Sequence, residues 1–292
     1  MIGARLSCGT MGDYLLSRPR DKYSPDEVES FMDKIPLSSR ALFASGMIGI
    51  AVVGFCYGDF SSVWQGTPGW IPKSSHTPLA YAFSAIMLLG GLGLLVERTA
   101  AISARVLFYY LGVWVVMLRL PAILTSPQIE VNWQGLSEIL VMLAGGWVLF
   151  AALTKVPDRS PLSFATGKRG TRLAQLLFGF ALLPLGIAHF SYLQNTASLV
   201  PSWLPHHNAW AYITGAAQVA AGVGVLISVL PRLAAILDAV LLSLFTFLVW
   251  VPLLAGKPTA YALWSEFTTS WAITAGAWVV AASFSKTASE KD

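Results

Sequence analysis

Pro68-Gly69-Trp70-Ile71-Pro72 stands in a strongly apolar chain and returns 133 residues later as Pro201-Ser202-Trp203-Leu204-Pro205. The surroundings return with it. Upstream of each copy lies an apolar run of helix length containing Gly54 or Gly186, and downstream come Ala80-Tyr81 and Ala211-Tyr212. Gly91-Leu92-Gly93 is then answered by Gly222-Val223-Gly224, and Arg98, Ala100, Ala101 and Ile102 by Arg232, Ala234, Ala235 and Ile236. Further on, Pro121, Pro127, Trp133, Gly145 and Trp147 match Pro252, Pro258, Trp264, Gly276 and Trp278, the register drifting only between 131 and 134. A repeat this long reads as two copies of one structural unit, and sites in such proteins often lie where the units meet.

Composition sets the class. The chain is 55% apolar and 12% charged, with a mean hydropathy of +0.63, a departure from soluble averages toward the membrane. Eight stretches reach or approach the roughly 20 residues needed to cross about 30 Å of hydrocarbon: 41–57, 79–96, 101–124, 136–153, 173–192, 209–227, 233–255 and 264–282. The expected fold is an all-α membrane protein with eight transmembrane helices, arranged as two parallel pseudo-symmetric four-helix units. The units occupy 41–154 and 173–284, with a polar segment 1–40, a linker 155–172 and a tail 285–292. No alternating strand pattern is present, which argues against an outer-membrane barrel.

Basic residues orient the spans, because Lys and Arg flanking them are retained on the cytoplasmic side. Arg5, Arg18, Arg20, Lys22, Lys34 and Arg40 precede span one; Arg98 and Arg105 follow span two; Lys155, Arg159, Lys168, Arg169 and Arg172 fill the linker; Arg232, Lys286 and Lys291 complete the set. Only Lys73 and Lys257 fall on the other side, and Arg119 lies within a span. Both termini are therefore expected in the cytoplasm of a bacterial inner membrane, with the two Pro-x-Trp-x-Pro connections outside. An even number of spans per repeat points both halves the same way. The net charge of +4 and the pI near 9.1 fit basic loops held against an anionic leaflet and require no nucleic acid.

The first forty residues carry no cleavable signal pattern. Ser24-Pro25-Asp26-Glu27 reads as a capped helix start, with Phe31, Met32 and Ile35 able to rest on the membrane surface; a tail with a single helical turn is the alternative. Cys8 and Cys56 lie far apart with no Cys-x-x-Cys, so dithiol chemistry within the chain is not expected. Haem is also unexpected, since His189 is the only histidine within a span. His76, His206 and His207 read as solvated loop histidines rather than a metal site.

Polar groups within spans carry the information, because hydrocarbon tolerates them only when they are paired or line a cavity. Asp59, Arg119, Glu138, His189, Tyr192 and Glu266 all fall in the outer third. Arg119 is placed to pair with Glu138 or Asp59, either as an ion pair closing the bundle or as the floor of a polar pocket. His189 and Tyr192, three apart, are expected to share a helix face. Deeper, Asp238 in span seven and Arg105 in span three read as a structural ion pair across the repeat axis. Trp64, Trp70, Trp133, Trp203, Trp210 and Trp264 gather at the outer interface, where indole anchors to headgroups. Proline-flanked Trp70 and Trp203 suggest lids over the two bundle ends. Gly90-Gly91-Leu92-Gly93, Ala144-Gly145-Gly146 and the stretch 216–224 are the small surfaces on which membrane helices approach closely.

The runs Gly186-Ile187-Ala188-His189-Phe190, Leu199-Val200-Pro201-Ser202-Trp203-Leu204-Pro205, Tyr212-Ile213-Thr214-Gly215 and Phe247-Leu248-Val249-Trp250-Val251-Pro252 resemble the DoxX-like group of bacterial membrane proteins. The resemblance covers most of the second repeat and, through the duplication, the first more weakly. It implies four-helix membrane units, here in tandem, in a group with links to quinone-coupled oxidation and redox-stress assemblies. The Arg-led Leu-Gly-Phe-Gly run of better-studied members is matched by neither 40–55 nor 172–190, which speaks against sulfur oxidation. Three functions remain open: a redox-associated subunit binding a quinone or other small lipophile through His189, Tyr192, Arg119, Glu138, Asp59, Trp70 and Trp203; an assembly subunit docking through the N-terminal segment and the 155–172 loop; and a small-solute transporter.

Overall fold

The computed structural model describes residues 36–61, 64–65, 72–154 and 163–284, and these are helical with no strand among them. The N-terminal segment, Trp70, the first part of the linker and the tail lie outside the described residues. Eight long helices run up and down: α1 (Leu37–Tyr57), α2 (Lys73–Leu95), α3 (Glu97–Thr125), α4 (Glu130–Leu153), α5 (Gly167–Ser191), α6 (His207–Leu226), α7 (Pro231–Gly256) and α8 (Tyr261–Ser283). A short helix, Leu193–Leu199, precedes α6. The end of the bundle carrying the α1–α2 and α5–α6 connections is here termed the upper end.

Seven of these helices, α1 to α7, are long and apolar enough to cross a membrane. The eighth is 23 residues long but richer in hydroxyls, and the packing explains the difference. Ser265, Thr268, Thr269 and Thr274 of α8 are buried against neighbouring helices, where side-chain and backbone partners replace water. A helix so enclosed needs less lipophilic surface than one facing lipid. Its neighbour α4 is enclosed in the same way, with 83% of its apolar window buried.

The halves interlock. The first helix of each packs on the last helix of the other, α1 on α8 and α5 on α4, and α4 and α8 cross at the centre. There Gly145 meets Gly276 so closely that a Cβ on Gly145 would sit 2.6 Å from the Gly276 Cα. No side chain could stand between the two backbones. The other small-residue surfaces work similarly: Gly91 faces the Ala44 carbonyl of α1, and Gly222 faces the Gly179 carbonyl of α5.

Both α3 and α7 widen into a single π-helical turn, Val115–Arg119 and Thr246–Trp250. Each turn is followed two residues later by a proline, Pro121 or Pro252, which lacks an N–H and crowds the carbonyl four residues back. Widening the helix relieves that clash, and such turns recur at functional sites. The indole N–H of Trp133 bonds the Pro127 carbonyl at 2.8 Å, and that of Trp264 the Pro258 carbonyl at 2.7 Å, each six residues back. The contact of Gly93 with Ser103 is answered by Gly224 with Ala234. A constant register of 131 therefore runs through α3 and α7 and sets Leu107 opposite Asp238.

Candidate functional site

The chain leaves α1 through Gly58, whose left-handed φ of 64° lets its N–H close back on the Gly54 carbonyl. It then turns into the bundle. Phe60 and Trp64 are 2% and 0% exposed, so Trp64 is a core residue and not the interfacial anchor expected from its position at a span end. Its indole meets Tyr110 and Trp114 edge-to-face, at centroid separations of 6.4 and 6.1 Å. Phe60 closes the other side against Phe83 and Trp114. Edge-to-face pairs of this kind add to simple burial.

Hydrogen bonds pin the segment from two sides. Gln65 accepts from the Ser61 N–H at 2.8 Å and donates its amide to the Tyr110 hydroxyl of α3 at 3.0 Å. Ser61 Oγ lies 3.0 Å from Ser265 Oγ and 3.2 Å from Thr269 Oγ1, and the Tyr261 hydroxyl donates to the Phe60 carbonyl. Tyr261, Ser265 and Thr269 belong to α8, so the second half helps to build a site at the upper end of the first. A cavity of about 10 Å³, room for about one water, remains among Ser61, Gln65, Ser84, Ser265 and Thr268.

Arg119 closes this arrangement. The π-turn delivers its guanidinium to the upper end, where Nη2 donates to the Trp64 carbonyl at 2.9 Å. Glu138 of α4 acts on it through space, and Glu266 of α8 acts in turn on Glu138. Gln134 donates to Glu138 at 3.4 Å. Gly135 makes room, since a Cβ there would lie 2.4 Å from Arg119 Nη1. Charged hydrogen bonds contribute about 1.5–3 kcal/mol each, so the cation holds the inserted segment by its backbone.

Other expected site residues fall elsewhere. Asp59 accepts from the Phe60 N–H at 2.7 Å and lies 3.5 Å from His76 Nε2, so its partners are at the rim and do not include Arg119. His189 lies in the last turn of α5, and Tyr192 is the residue that caps it, its N–H on the Ala188 carbonyl and its backbone at φ −117° and ψ 45°. His189 Nδ1 lies 2.8 Å from Thr214 Oγ1 of α6. Trp203 is 70% exposed, on the connection that leads into α6. The Arg105–Asp238 pair is not formed: Arg105 lies 5.6 Å over the Phe150 ring, and Asp238 faces Gln218. Among the described residues no group of three His, Cys, Asp or Glu could hold a metal.

Sequence reasoning missed the inserted segment, Tyr110 and Trp114. The signal available was a size exchange between the repeats. Trp64 and Arg119 of the first half stand where the second has Ala197, 133 positions on, and Trp250, 131 positions on. Both replacements are buried, at 5% and 8% exposure.

Residues 178–257 match a family described as Domain of unknown function (DUF8561). The match takes in His189, Gln218 and Asp238 and ends short of α8. No curated protein and no solved structure matches the chain.

Proposed function

We propose that the protein is a redox-associated, DoxX-like membrane protein that binds a flat small lipophile, of the quinone class, at the upper end of its first half. In this reading eight helices span a bacterial inner membrane as two parallel related units, with both termini cytoplasmic and the upper end outside. The paired π-turns, the matched indole bonds and the Gly145–Gly276 contact between equivalent residues support the two-unit arrangement.

One observation carries the binding reading: the seat of Trp64. It is shaped for a flat ring, walled by Tyr110 and Trp114, with the Tyr110 hydroxyl and the Arg119 guanidinium at its edge. The Trp64 indole N–H, buried in that seat, makes no hydrogen bond. A ring carrying carbonyl oxygens would accept from the donors that now serve the chain's own segment. The seat opens by withdrawal of Trp64 together with Phe60, Ser61 and Gln65, which are held by hydrogen bonds and ring contacts.

The test is mass spectrometry of lipophiles that co-purify from the native membrane. Wild-type protein is expected to carry a quinone. Trp64→Ala, with the seat vacated, should retain severalfold more, and His189→Ala as much as wild type. A second reading, an assembly subunit, is favoured by the way the chain's own Trp64 fills its seat. Absence of any lipophile from both wild type and Trp64→Ala, with a stoichiometric protein partner in its place, would replace the first reading by the second.

A further inference from the structure

Asp238 lies one third of the way along α7 and is 1% exposed; Gln218, beside it on α6, is 4% exposed. The Gln218 amide is close enough to act on the carboxyl, yet neither carboxyl oxygen nor Gln218 Oε1 meets a donor in hydrogen-bond geometry. Three acceptor oxygens are thus buried side by side. Leaving each of them bare costs about 1–3 kcal/mol for a neutral group and more for a charge.

Among the described residues, no charged group is seen to act on the Asp238 carboxyl. The helices packed against α7 are α6 and α8. Their titratable residues are His207 and Tyr212 on α6 and Tyr261 and Glu266 on α8, all within the first two turns at the upper end. Asp238 and Gln218 lie below all of them, Gln218 six residues on from Tyr212. On α7 itself Arg232 lies six residues from Asp238, at the helix start. A metal ion of the calcium type would want six to eight oxygens, whereas this enclosure offers three.

We propose that Asp238 and Gln218 form a proton-binding site inside the membrane, in which the neutral carboxyl donates its hydroxyl hydrogen to Gln218 Oε1 and the Gln218 amide donates back to the carboxyl carbonyl. One bound proton then satisfies all three oxygens and leaves no buried charge. The first half carries Met87 and Leu107 at the matching positions, 1% and 0% exposed, so this site belongs to the second half alone. It stands independently of the lipophile reading, being in the second half and below the upper end that holds Trp64.

Infrared spectroscopy of the full-length protein in lipid tests the proposal. At pH 7 a protonated-carboxyl C=O band should appear, shift when H₂O is exchanged for D₂O, and be lost in Asp238→Asn. In Gln218→Met the band should persist but move to higher frequency, because the carboxyl has lost its hydrogen-bonding partner. That variant decides the matter should Asp238→Asn not fold. Absence of the band in wild type at pH 7 would overturn the proposal. So would a band untouched by both substitutions and lost instead in Glu138→Gln.

Discussion

The two halves of this chain share helices, π-turns and indole bonds, yet each departs from the other at one polar place, and the places lie at different depths of the bundle. At the upper end the first half has Trp64 and Arg119 where the second has Ala197 and Trp250. Deeper in the bundle the second half has Gln218 and Asp238 where the first has Met87 and Leu107. Both exchanges replace enclosed side chains: Trp64, Gln218 and Asp238 are buried, as are Ala197, Trp250, Met87 and Leu107 at the matching positions. Helices that match between the two halves of the sequence therefore carry different polar groups while their small-residue packing surfaces stay alike.

The largest expected effect attacks the upper exchange. Trp64→Ala removes a wholly enclosed side chain and should cost about 3–5 kcal/mol, read as a lowered thermal midpoint in detergent. If the exchange is a matched set, adding Arg119→Trp to Trp64→Ala rebuilds the second half's combination. The double variant should then be at least about 1 kcal/mol more stable than the sum of the single changes. Strict additivity would mean that the two positions fill their space independently.

Gly135→Ala probes the same place more gently. The added methyl would meet the Arg119 guanidinium at 2.4 Å, and the flexible side chain must move off the Trp64 carbonyl. The expected cost is about 1–3 kcal/mol, accompanied by faster proteolysis between α1 and α2. An unchanged proteolysis rate would show that Arg119 does not hold the segment. The equivalent position in α8 is Glu266, so this space exists in the first half alone.

Much of the helical frame was legible in the sequence because apolar runs of membrane length leave few alternatives, and the repeat supplied the pairing of equivalent positions. Even α8, short of the hydropathy of the others, was recoverable through its likeness to α4. The candidate site was less legible. Trp64 sits at a span end, where tryptophan ordinarily meets headgroups, and its burial depends on Tyr110, Trp114 and Arg119 from a helix about fifty residues on. His189 and Tyr192 have helical spacing, but the spacing does not reveal that α5 ends at Ser191 or that His189 takes Thr214 of α6 as its partner. For Asp238 the hydrophobic pattern yields the right depth but not the partner. α7 packs on α6 and α8, so its carboxyl meets Gln218 rather than Arg105 of α3.

A milder test exchanges the lower pair for the first half's residues. Gln218→Met with Asp238→Leu keeps the volume nearly constant and removes three buried acceptors, so stability should stay within about 1.5 kcal/mol of wild type or rise. Gln218→Met alone leaves the carboxyl without its amide and should be less stable than the double variant. The reverse order, with the double variant the weaker, would mean that neighbouring helices are shaped around the polar pair.

The smallest expected effect lies at the rim, where Asp59 meets His76 at 3.5 Å with their side chains 41% and 22% exposed. The second half has Tyr192 near the place of Asp59, so no equivalent pair can form there. An exposed pair of this kind contributes about 0–1 kcal/mol, reduced further by solvent and salt screening. His76→Gln should therefore shift the thermal midpoint slightly at low ionic strength and not at all in high salt. A large, salt-insensitive loss would place His76 among the groups that hold the inserted segment, through its edge-to-face contact with Phe60 at 5.0 Å. The first half's site would then extend to the rim, and the difference between the halves would span the whole upper end rather than the seat of one tryptophan.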